Sequence, residues 1–395
     1  LNESSPRLLV RETVVVDGGT PIYLGKRLRQ DIVEIVTALT AQEHSVALAQ
    51  EACGFGYEFH RQLLAAKAQS IVVAPETLNG KRKTDKADSR KLAVDLFAYL
   101  NLGNDNALRP IRVPSLEEQR LRSLHRERAQ AMSLRNLCAA QARSLAVSFN
   151  VLEVPTGWWG AKKWPAWLAE LKSAGLDWLI ERLEAKIGLI RQFDAQIKAL
   201  DDLTLQIAFE QQVNPPVAET PVDPFRAVAP VTEVGDGAEV TPVLPTDKAE
   251  FEHQLLCSIP KGFGVPTLLN LNAEVCDWNR FHTRQQPGSF IGACPSEYRS
   301  GPNPRLGPID RQGNTACRTM LVEAAWRMVR FQPEWRGLKK FGGVLSKGSK
   351  ASKTARRKAI VAVARLLAED MWRLQPGRST MEDLGFTPAA PLENA

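Results

Sequence analysis

Two aspartates, Asp85 and Asp88, lie three residues apart in the stretch KRKTDKADSRKLA, residues 81–93. In a helix, residues at i and i+3 share a face, so both carboxylates would point into the same space. Carboxylate oxygens are hard ligands that suit Mg²⁺, and cations beside them suit a phosphate. The cations here are Lys81, Arg82, Lys83, Lys86, Arg90 and Lys91. The same letters also fit an ordinary helix start, with Thr84 or Asp85 as the N-cap.

A third carboxylate, Glu51, ends the apolar run SVALAQE. Ligands of open α/β sheets bind at the carboxyl ends of strands, so Glu51 would face such a site. Asp85 and Asp88 follow after the next strand-like run. We therefore interpret the three carboxylates as ligands that can converge on one or two Mg²⁺ ions, which polarise a phosphate and activate an oxygen nucleophile.

A second chemical stretch, FIGACPSEYRSGPNPRLGPIDRQGN, covers residues 290–314. Ser300 stands there beside Gly301, and Arg299 and Arg305 flank it as phosphate-binding cations. A serine hydroxyl needs an activating group to become a nucleophile, and the stretch contains no histidine. A serine in a turn rich in glycine and proline is also a common turn residue, so a structural role stays open.

Alternating strands and helices are predicted for the first hundred residues. LLVRETVVVD is predicted to form a strand that ends at Asp17, and GKRLRQDIVEIVTALTAQ has the apolar spacing of a helix. Two short strands, SVALAQEA and QSIVVAPE, flank the helical run YEFHRQLLAAK. This alternation indicates a layered α/β sheet.

Long helices are predicted between Pro114 and residue 212. The run that begins at Ser115 is long enough for a coiled-coil-like arm, and a second helix is predicted from Asp177 to Glu210. Between them lies a tryptophan-rich stretch from Trp158 to Trp178. Bases could stack on these rings, although tryptophans at such spacing more often pack between helices.

Residues 213–247 contain seven prolines and almost no aromatic side chains, which predicts a linker or insertion. The segment LLCSIPKGFGVPTLLNLNAE follows it. Its pattern of helix, turn with Gly262 and Gly264, and helix is typical of a helix-hairpin-helix, whose glycine amides can approach a DNA backbone. The same letters fit a plain helical hairpin.

The chain of 395 residues has a formal charge of +7 and six cysteines. This length predicts two or three domains of about 150 residues. The cysteines form no CxxC pair, so we expect reduced thiols in a cytosolic protein. The sequence has neither a signal peptide nor an apolar run of about 18 residues, so neither secretion nor membrane insertion is predicted. Because the chain begins with Leu1 rather than Met, we expect a leading segment to be missing.

Positive charge concentrates between residues 336 and 373, where eleven basic residues face only Glu369 and Asp370. Such a block predicts a surface for a polyanion, with a solvated helix face and loop as the alternative. The residues predicted to contact nucleic acid are Lys347, Lys350, Lys353, Arg356, Arg357 and Lys358 in this block, Lys81, Arg82, Lys83 and Lys86 beside the aspartates, and Arg299, Arg305, Arg311 and Arg318 around the serine.

Several motifs follow one another in a specific order: EACGFGY, VVAP, KTDKAD, SIPKGFG, PSEYRSG, and RQGNxxxR followed by LVEAAWRMVRFQP. This order resembles the DEDD transposases guided by a bridge RNA, a family of insertion-sequence recombinases. The resemblance covers nearly all of the chain except the proline-rich insertion. Several ordered motifs are far more specific than any one of them.

The resemblance implies four regions. Residues 1–112 would form a RuvC-like (RNase H-like) α/β domain, 113–212 a helical coiled-coil region and 213–247 the linker or insertion. Residues 248–395 would form a mainly α-helical transposase domain with a helix-hairpin-helix-like element. In such a protein, Glu51, Asp85 and Asp88 match three of four acidic Mg²⁺ ligands, and Ser300 matches the serine that bonds covalently to DNA. The first acid has no match, because Asp17 resembles a later hairpin turn, so we expect the first strand to be missing.

The function implied is a bacterial-type, cytoplasmic and nucleoid-associated recombinase that excises and inserts a mobile element through a phosphoserine intermediate. The implied partners are double-stranded DNA of the element ends and target, a structured bridge RNA, and further copies of the chain in a dimer of dimers. Two alternatives stay open. One is a RuvC-like, Mg²⁺-dependent junction nuclease that uses water, and the other is a non-catalytic nucleic-acid-binding scaffold.

Overall fold

The computed structural model describes residues 9–10, 14–17, 20–23, 27–54, 56–74, 85–213, 247–298, 305–309, 311–346 and 348–390. For residues 9–27, 85–87, 213, 296–298 and 305–306 within these ranges, the backbone alone is described. The predicted linker therefore lies almost wholly outside the described residues. The chain forms two compact units, and the division along the first part of the sequence falls between Pro114 and Ser115.

The first unit contains six strands and three helices within its described residues. In chain order they are β1 (Leu9–Val10), β2 (Val14–Asp17), β3 (Thr20–Tyr23), β4 (Arg27–Leu28), α1 (Arg29–Ala41), β5 (Ala47–Glu51), α2 (Glu58–Ala65), β6 (Gln69–Val73) and α3 (Asp85–Asn101). β2 and β3 pair in antiparallel, and β2 ends at Asp17 as predicted. β5 and β6 pair in parallel through the crossover helix α2, as the predicted alternation requires.

This unit contains two apolar clusters, one between α1 and α2 and the other between β6 and α3. Ile32 and Val36 on α1 pack with Phe59 and Leu63 on α2. The last four residues of β6 are all buried, which explains why the strand ends in three successive apolar residues, IVV, rather than in an alternating pattern. A mixed α/β architecture for this unit is thus supported.

The second unit begins with a long antiparallel pair of helices, α4 (Leu116–Ser148) and α6 (Asp177–Val213), with α5 (Trp164–Ser173) between them. Ser115 and Glu118 start α4 with a capping box, in which each side chain accepts a hydrogen bond from the other residue's backbone amide. Ion pairs between Arg128 and Asp201 and between Arg135 and Asp194 fix the antiparallel register. The two long helices predicted between Pro114 and residue 212 are therefore observed.

Three tryptophans, Trp158, Trp164 and Trp167, are buried where α5 packs on this helix pair. Their ring centroids lie 5.3–5.9 Å apart in tilted and edge-on arrangements. They pack against alanines of α4 and leucines and isoleucines of α6. Of the two interpretations of the tryptophan-rich stretch, helix packing is correct for these three rings.

The rest of the second unit is mainly helical around one apolar core. Its elements are α7 (Lys248–Cys257), α8 (Val265–Val275), α9 (Gln285–Phe290), β7 (Pro295–Tyr298), β8 (Arg305–Ile309), α10 (Thr315–Phe331), a 3₁₀ turn (Arg336–Leu338), α11 (Gly342–Leu345), α12 (Lys353–Leu374) and α13 (Met381–Leu384). The described helices include none that is long and apolar enough to cross a membrane.

Candidate functional site

A small acidic cleft lies in the first unit at the carboxyl end of β5. Glu51 is the last residue of that strand, opposite Val73 of β6, and its side chain is exposed. Asp88 lies in the first turn of α3, where its Oδ2 atom is buried. Glu51 and Asp88 line one cavity of about 40 Å³. The structure therefore brings together two of the three carboxylates that the sequence singles out.

The third carboxylate, Asp85, is the first residue of α3, and of its side chain nothing is described. Across the residues with described side chains, no group of three or more histidines, cysteines, aspartates or glutamates could hold a metal ion. Mg²⁺ usually binds through one or two carboxylates and keeps several water molecules or phosphate oxygens as its other ligands. The pair of carboxylates in the cleft is chemically compatible with that requirement.

The cleft is also lined by charged residues that the sequence patterns do not single out. Asp95 lies two turns after Asp88 on α3 and forms an ion pair with Lys91, at 3.3 Å between Nζ and Oδ2. Arg109 contributes a cation from the segment after α3. The spacing of seven residues between Asp88 and Asp95 corresponds to one helix face, so the sequence already carried the signal for Asp95.

A buried hydrogen bond supports the sheet beneath the cleft. His60 of α2 and Ser70 of β6 lie 2.8 Å apart between Nδ1 and Oγ. Burial, together with the charge of Arg61, lowers the pKa of His60. The hydrogen bond ties the crossover helix α2 to the strand β6.

The serine stretch of the second unit forms a β-hairpin that the sequence patterns did not predict. β7 and β8 pair in antiparallel, with Tyr298 opposite Arg305 and a bulge between Pro295 and Glu297. Ser300 and Arg299 lie in the connection between the strands, outside the described residues. The strands escaped prediction because each has only four or five residues and contains proline.

The motif RQGNxxxR, residues 311–318, clamps the base of this hairpin. A Cβ atom on Gly313 would collide with the backbone of Gly292, so only glycine permits this approach. Arg318 donates a hydrogen bond to the Ile291 carbonyl at 2.8 Å, and Asn314 accepts one from the Cys317 amide at 3.1 Å as the N-cap of α10. Within the clamp, Arg318 has a structural role in addition to any contact with nucleic acid.

Glu274 of α8 is a fully buried carboxylate that joins this clamp to the long helix α4. Asn314 donates a hydrogen bond to its Oε2 atom at 2.8 Å. Arg122 and Arg126 of α4 pair with it at 3.2 and 3.1 Å. Burial alone would raise the pKa of Glu274, but the hydrogen bonds from Asn314 and Arg126 and the charge of Arg122 outweigh it, and the pKa is lowered. The carboxylate is therefore ionised at neutral pH.

The predicted order of a helix, a turn with Gly262 and a second helix is present, with α7 and α8 as the two helices. Gly262 has a φ of 95°, and a Cβ atom there would lie 2.8 Å from Cδ2 of Phe331. The turn is thus held by packing inside the unit as well as by its glycine backbone. Gly264 is the N-cap residue of α8.

The basic block divides into two groups. Arg336 and Arg373 pair with Asp370, and Arg365 pairs with Glu369. The other group surrounds the start of α12, and Arg356 there lies 5.9 Å from the ring centroid of Trp326, which is 41% exposed. Its remaining described members are exposed: Lys350, Lys353, Arg357 and Lys358. Four of the predicted cations lie outside the described residues: Lys81, Arg82, Lys83 and Lys347. Only the backbone is described for two others, Lys86 and Arg305.

Exposed cations clustered at one helix end are typical of proteins that bind nucleic acids. Residues 253–340, which include the clamp and Glu274, match the Transposase IS116/IS110/IS902 family. The chain is 28% identical over 352 residues to "Putative transposase y4rJ" of Sinorhizobium fredii, covering 85% of this chain and 78% of the relative.

Two further relatives agree in their description. The chain is 24% identical over 284 residues to "Probable family 20 transposase" of Pseudomonas aeruginosa, covering 72% of this chain and 71% of the relative. It is 23% identical over 313 residues to "Transposase for insertion sequence element IS1111A" of Coxiella burnetii, covering 79% of this chain and 72% of the relative. The chain is thus similar to transposases over most of its length, and residues 253–340 are similar to the IS116/IS110/IS902 family.

Proposed function

We propose that the protein is a DNA transposase that excises and inserts its own insertion sequence, guided by a structured RNA and acting through a phosphoserine intermediate. The observation that carries the proposal is the cleft in which Glu51 and Asp88 meet, in a chain similar to transposases along most of its length. These two residues are 37 positions apart in the sequence, so the fold has gathered carboxylates at one sheet edge.

Glu51 and Asp88, with Asp85 beside them on α3, are the residues that would hold Mg²⁺. When bound, the ion supplies charge neutralisation to a DNA phosphate. The parallel pair β5 and β6 with its crossover helix is consistent with a RuvC-like, RNase H-like domain. Lys91 partly neutralises Asp95, and this ion pair lowers the net negative charge that the cleft presents to an approaching phosphate.

Ser300 is the proposed nucleophile. Its Oγ atom forms an ester with a DNA phosphorus while the P–O bond to the leaving deoxyribose oxygen breaks, and the hydroxyl proton is lost as the leaving oxygen gains one. Arg299 and Arg305 neutralise the phosphate charge. Because the phosphoserine retains the energy of the phosphodiester, rejoining to a new strand needs no ATP.

Clamp residues Gly313, Asn314 and Arg318 hold the two ends of the hairpin together. This supports a catalytic serine because positioning of the attacking group contributes strongly to reaction rates. The cations at the start of α12 support binding of DNA and the guide RNA. We expect a dimer of dimers, with active sites that combine units from different subunits, and a helix-hairpin-helix role for the turn at Gly262.

An excision assay on element-bearing DNA, with co-purified RNA, tests this function. Ser300→Ala should bind nucleic acid normally yet give no recombinant product and no protease-sensitive DNA adduct on a denaturing gel. Ser296, which lies on β7 in the same hairpin, is the matched control, and Ser296→Ala should keep substantial activity. An adduct that persists in Ser300→Ala contradicts the proposal.

A second candidate function is a junction nuclease in which the acidic cleft alone performs hydrolysis with water. The closeness of Glu51 and Asp88 within one unit favours it, since that cleft needs no serine from the other unit. This candidate predicts cleavage without any covalent adduct and full cleavage activity in Ser300→Ala. The same gel therefore distinguishes the two functions.

A further inference from the structure

A second cavity, of about 450 Å³, lies in the second unit beside the strand that leads to the serine connection. Its volume falls within the range of about 300–1,000 Å³ that is usual for small-ligand pockets. Cys294 and Pro295 form one wall and connect directly to β7. The other lining residues are Arg284, Gln285, Arg365 and Glu369.

Two arginines share one buried carboxylate in this cavity. The Nε atom of Arg284 donates to Oε2 of Glu369 at 2.6 Å, and Nε of Arg365 lies 3.5 Å from Oε1. The hydrogen bond to Glu369 raises the pKa of Arg284, so the guanidinium group stays protonated and positively charged. Two cations against one anion leave a net positive charge in the cavity.

The packing of Arg365 fixes its side chain in place. A Cβ atom on Gly288 of α9 would lie 2.8 Å from Cγ and 3.1 Å from Cδ of Arg365, so the stem of this arginine passes closely beneath the glycine. The Nε atom is buried. Such packing reduces the rotamer freedom that a flexible arginine would lose on binding a ligand.

The orientation of the two guanidinium groups suits an incoming oxyanion. Both groups face Glu369 through Nε, and with the described residues their terminal NH₂ groups form no hydrogen bonds. Terminal NH₂ groups of arginine bind the oxygens of a phosphate in a forked geometry. Glu369 thus fixes the planes of the guanidinium groups and leaves donors for a second anion.

We propose that this cavity binds a phosphodiester group of a nucleic acid strand held next to the serine hairpin, with Arg284 and Arg365 as its ligands. The proposal rests on the proposed function, which places DNA at that hairpin. Its position beside Cys294 and Pro295 makes it a subsite for a phosphate of the strand that is held at the hairpin. DNA and guide RNA share this chemistry, and the experiment below distinguishes them.

Alkylation of Cys294 provides a direct test on the full-length protein. The labelling rate by N-ethylmaleimide is measured by peptide mass spectrometry, alone and with a DNA duplex or an RNA strand of equal length. Bound nucleic acid should slow labelling of Cys294 several-fold and leave Cys138 unchanged, because Cys138 packs against the apolar cluster of α4, α5 and α6 and does not line this cavity. Protection by DNA alone or by RNA alone supports the site and identifies the strand.

Charge substitutions test the role of the arginines. Arg284→Gln and Arg365→Gln should each abolish the protection of Cys294 and reduce the slope of log K against log salt by about 0.9 for duplex DNA. Arg191→Gln, an exposed arginine on α6, removes the same charge and should keep the protection. Arg284 is the safer variant because its side chain is 58% exposed, whereas melting must verify the fold of Arg365→Gln.

Equal labelling of Cys294 with and without bound nucleic acid would overturn the subsite, as would protection that survives both substitutions. The pair would then be an ion pair within the protein only. Neither result touches the proposed function, because the Ser300 adduct is measured separately. Conversely, suppose that wild-type protein shows protection of Cys294 but no covalent DNA adduct. The phosphate site would then stand, and the phosphoserine mechanism would be wrong.

Discussion

Replacing Glu274 tests whether the buried carboxylate holds α4, α8 and the hairpin clamp together. In Glu274→Ala, Arg122 loses its partner in a site where its own side chain is only 17% exposed. Breaking a buried ion pair costs about 3–5 kcal/mol. The side chain of Arg126 is 60% exposed, so its guanidinium group can be solvated once Glu274 is removed. We therefore expect a loss of stability at the lower end of this range, about 3 kcal/mol. Glu274→Gln keeps the shape and one hydrogen-bonding oxygen, so about 1–2 kcal/mol is expected.

Tryptophan fluorescence is the suitable assay, because all nine tryptophans lie after Ser115 and report on the second unit alone. For a unit of this size, about 1 kcal/mol corresponds to about 2–4 °C in melting temperature. Glu274→Ala should therefore lower it by about 6–12 °C. Glu252→Ala, an exposed glutamate on α7, is the control and should change it little.

The pH dependence gives an independent check on the same carboxylate. The folded-state pKa of Glu274 lies below its ordinary value of 4.5, so the unfolded chain binds the proton more readily. The stabilisation is then fully present above pH 4.5 and is lost as the pH falls through the lowered folded pKa. The stability difference between wild type and Glu274→Gln should shrink in that window. His125, beside the cluster, also has a lowered pKa, mainly from burial, and destabilises both proteins below pH 6.5.

Two results would refute the reasoning about Glu274. One is a melting temperature of Glu274→Ala within about 2 °C of wild type, which would mean that the ion pairs contribute little. The other is full additivity with Arg126→Ala, since residues that interact directly should show a coupling energy in a double-mutant cycle.

Three further predictions concern the cleft, the clamp and the basic surface. Asp88→Asn should abolish excision with little change in melting, whereas Asp95→Asn on the same helix should keep part of the activity; equal loss in both would remove any special role for Asp88. Gly313→Ala should destabilise the second unit by about 1–3 kcal/mol because its new methyl group meets the facing backbone, while Gly188→Ala, with open space around it on α6, should be neutral or stabilising by melting. Trp326→Ala should weaken single-strand binding by about 1–3 kcal/mol in anisotropy titrations if a base stacks on this exposed ring, with unchanged melting.

Elements with long, regular apolar spacing were predictable from the sequence. The start of α4 at Leu116 follows from the capping box at Ser115, and the alternation in the first unit correctly gave β5, α2 and β6. The hairpin of β7 and β8 was not predictable from local patterns, because its short strands are defined by pairing with each other. Glycine and proline in that stretch indicated a turn and nothing about the strands on either side.

The clamp and its link to Glu274 were hidden for a different reason. Arg122 and Arg126 are 152 and 148 residues away from Glu274 in the sequence, so no local spacing connects them. The motif RQGNxxxR is visible in the sequence, where its two arginines are predicted to contact nucleic acid. The structure adds that Arg318 binds the Ile291 carbonyl, an acceptor that no sequence pattern identifies.

Composition alone also cannot tell which cations of the basic block are paired within the protein and which are exposed. Composition counts eleven cations, but Arg336, Arg365 and Arg373 form ion pairs with the buried carboxylates of Glu369 and Asp370. The exposed cations that remain include Lys353 and Arg357 in the first turns of α12, where the helix dipole disfavours positive charge. An anion bound there would relieve both the mutual repulsion of these cations and their conflict with the dipole. The surface best suited to a nucleic acid backbone is therefore this helix end, and salt dependence of binding should be most sensitive to its lysines and arginines.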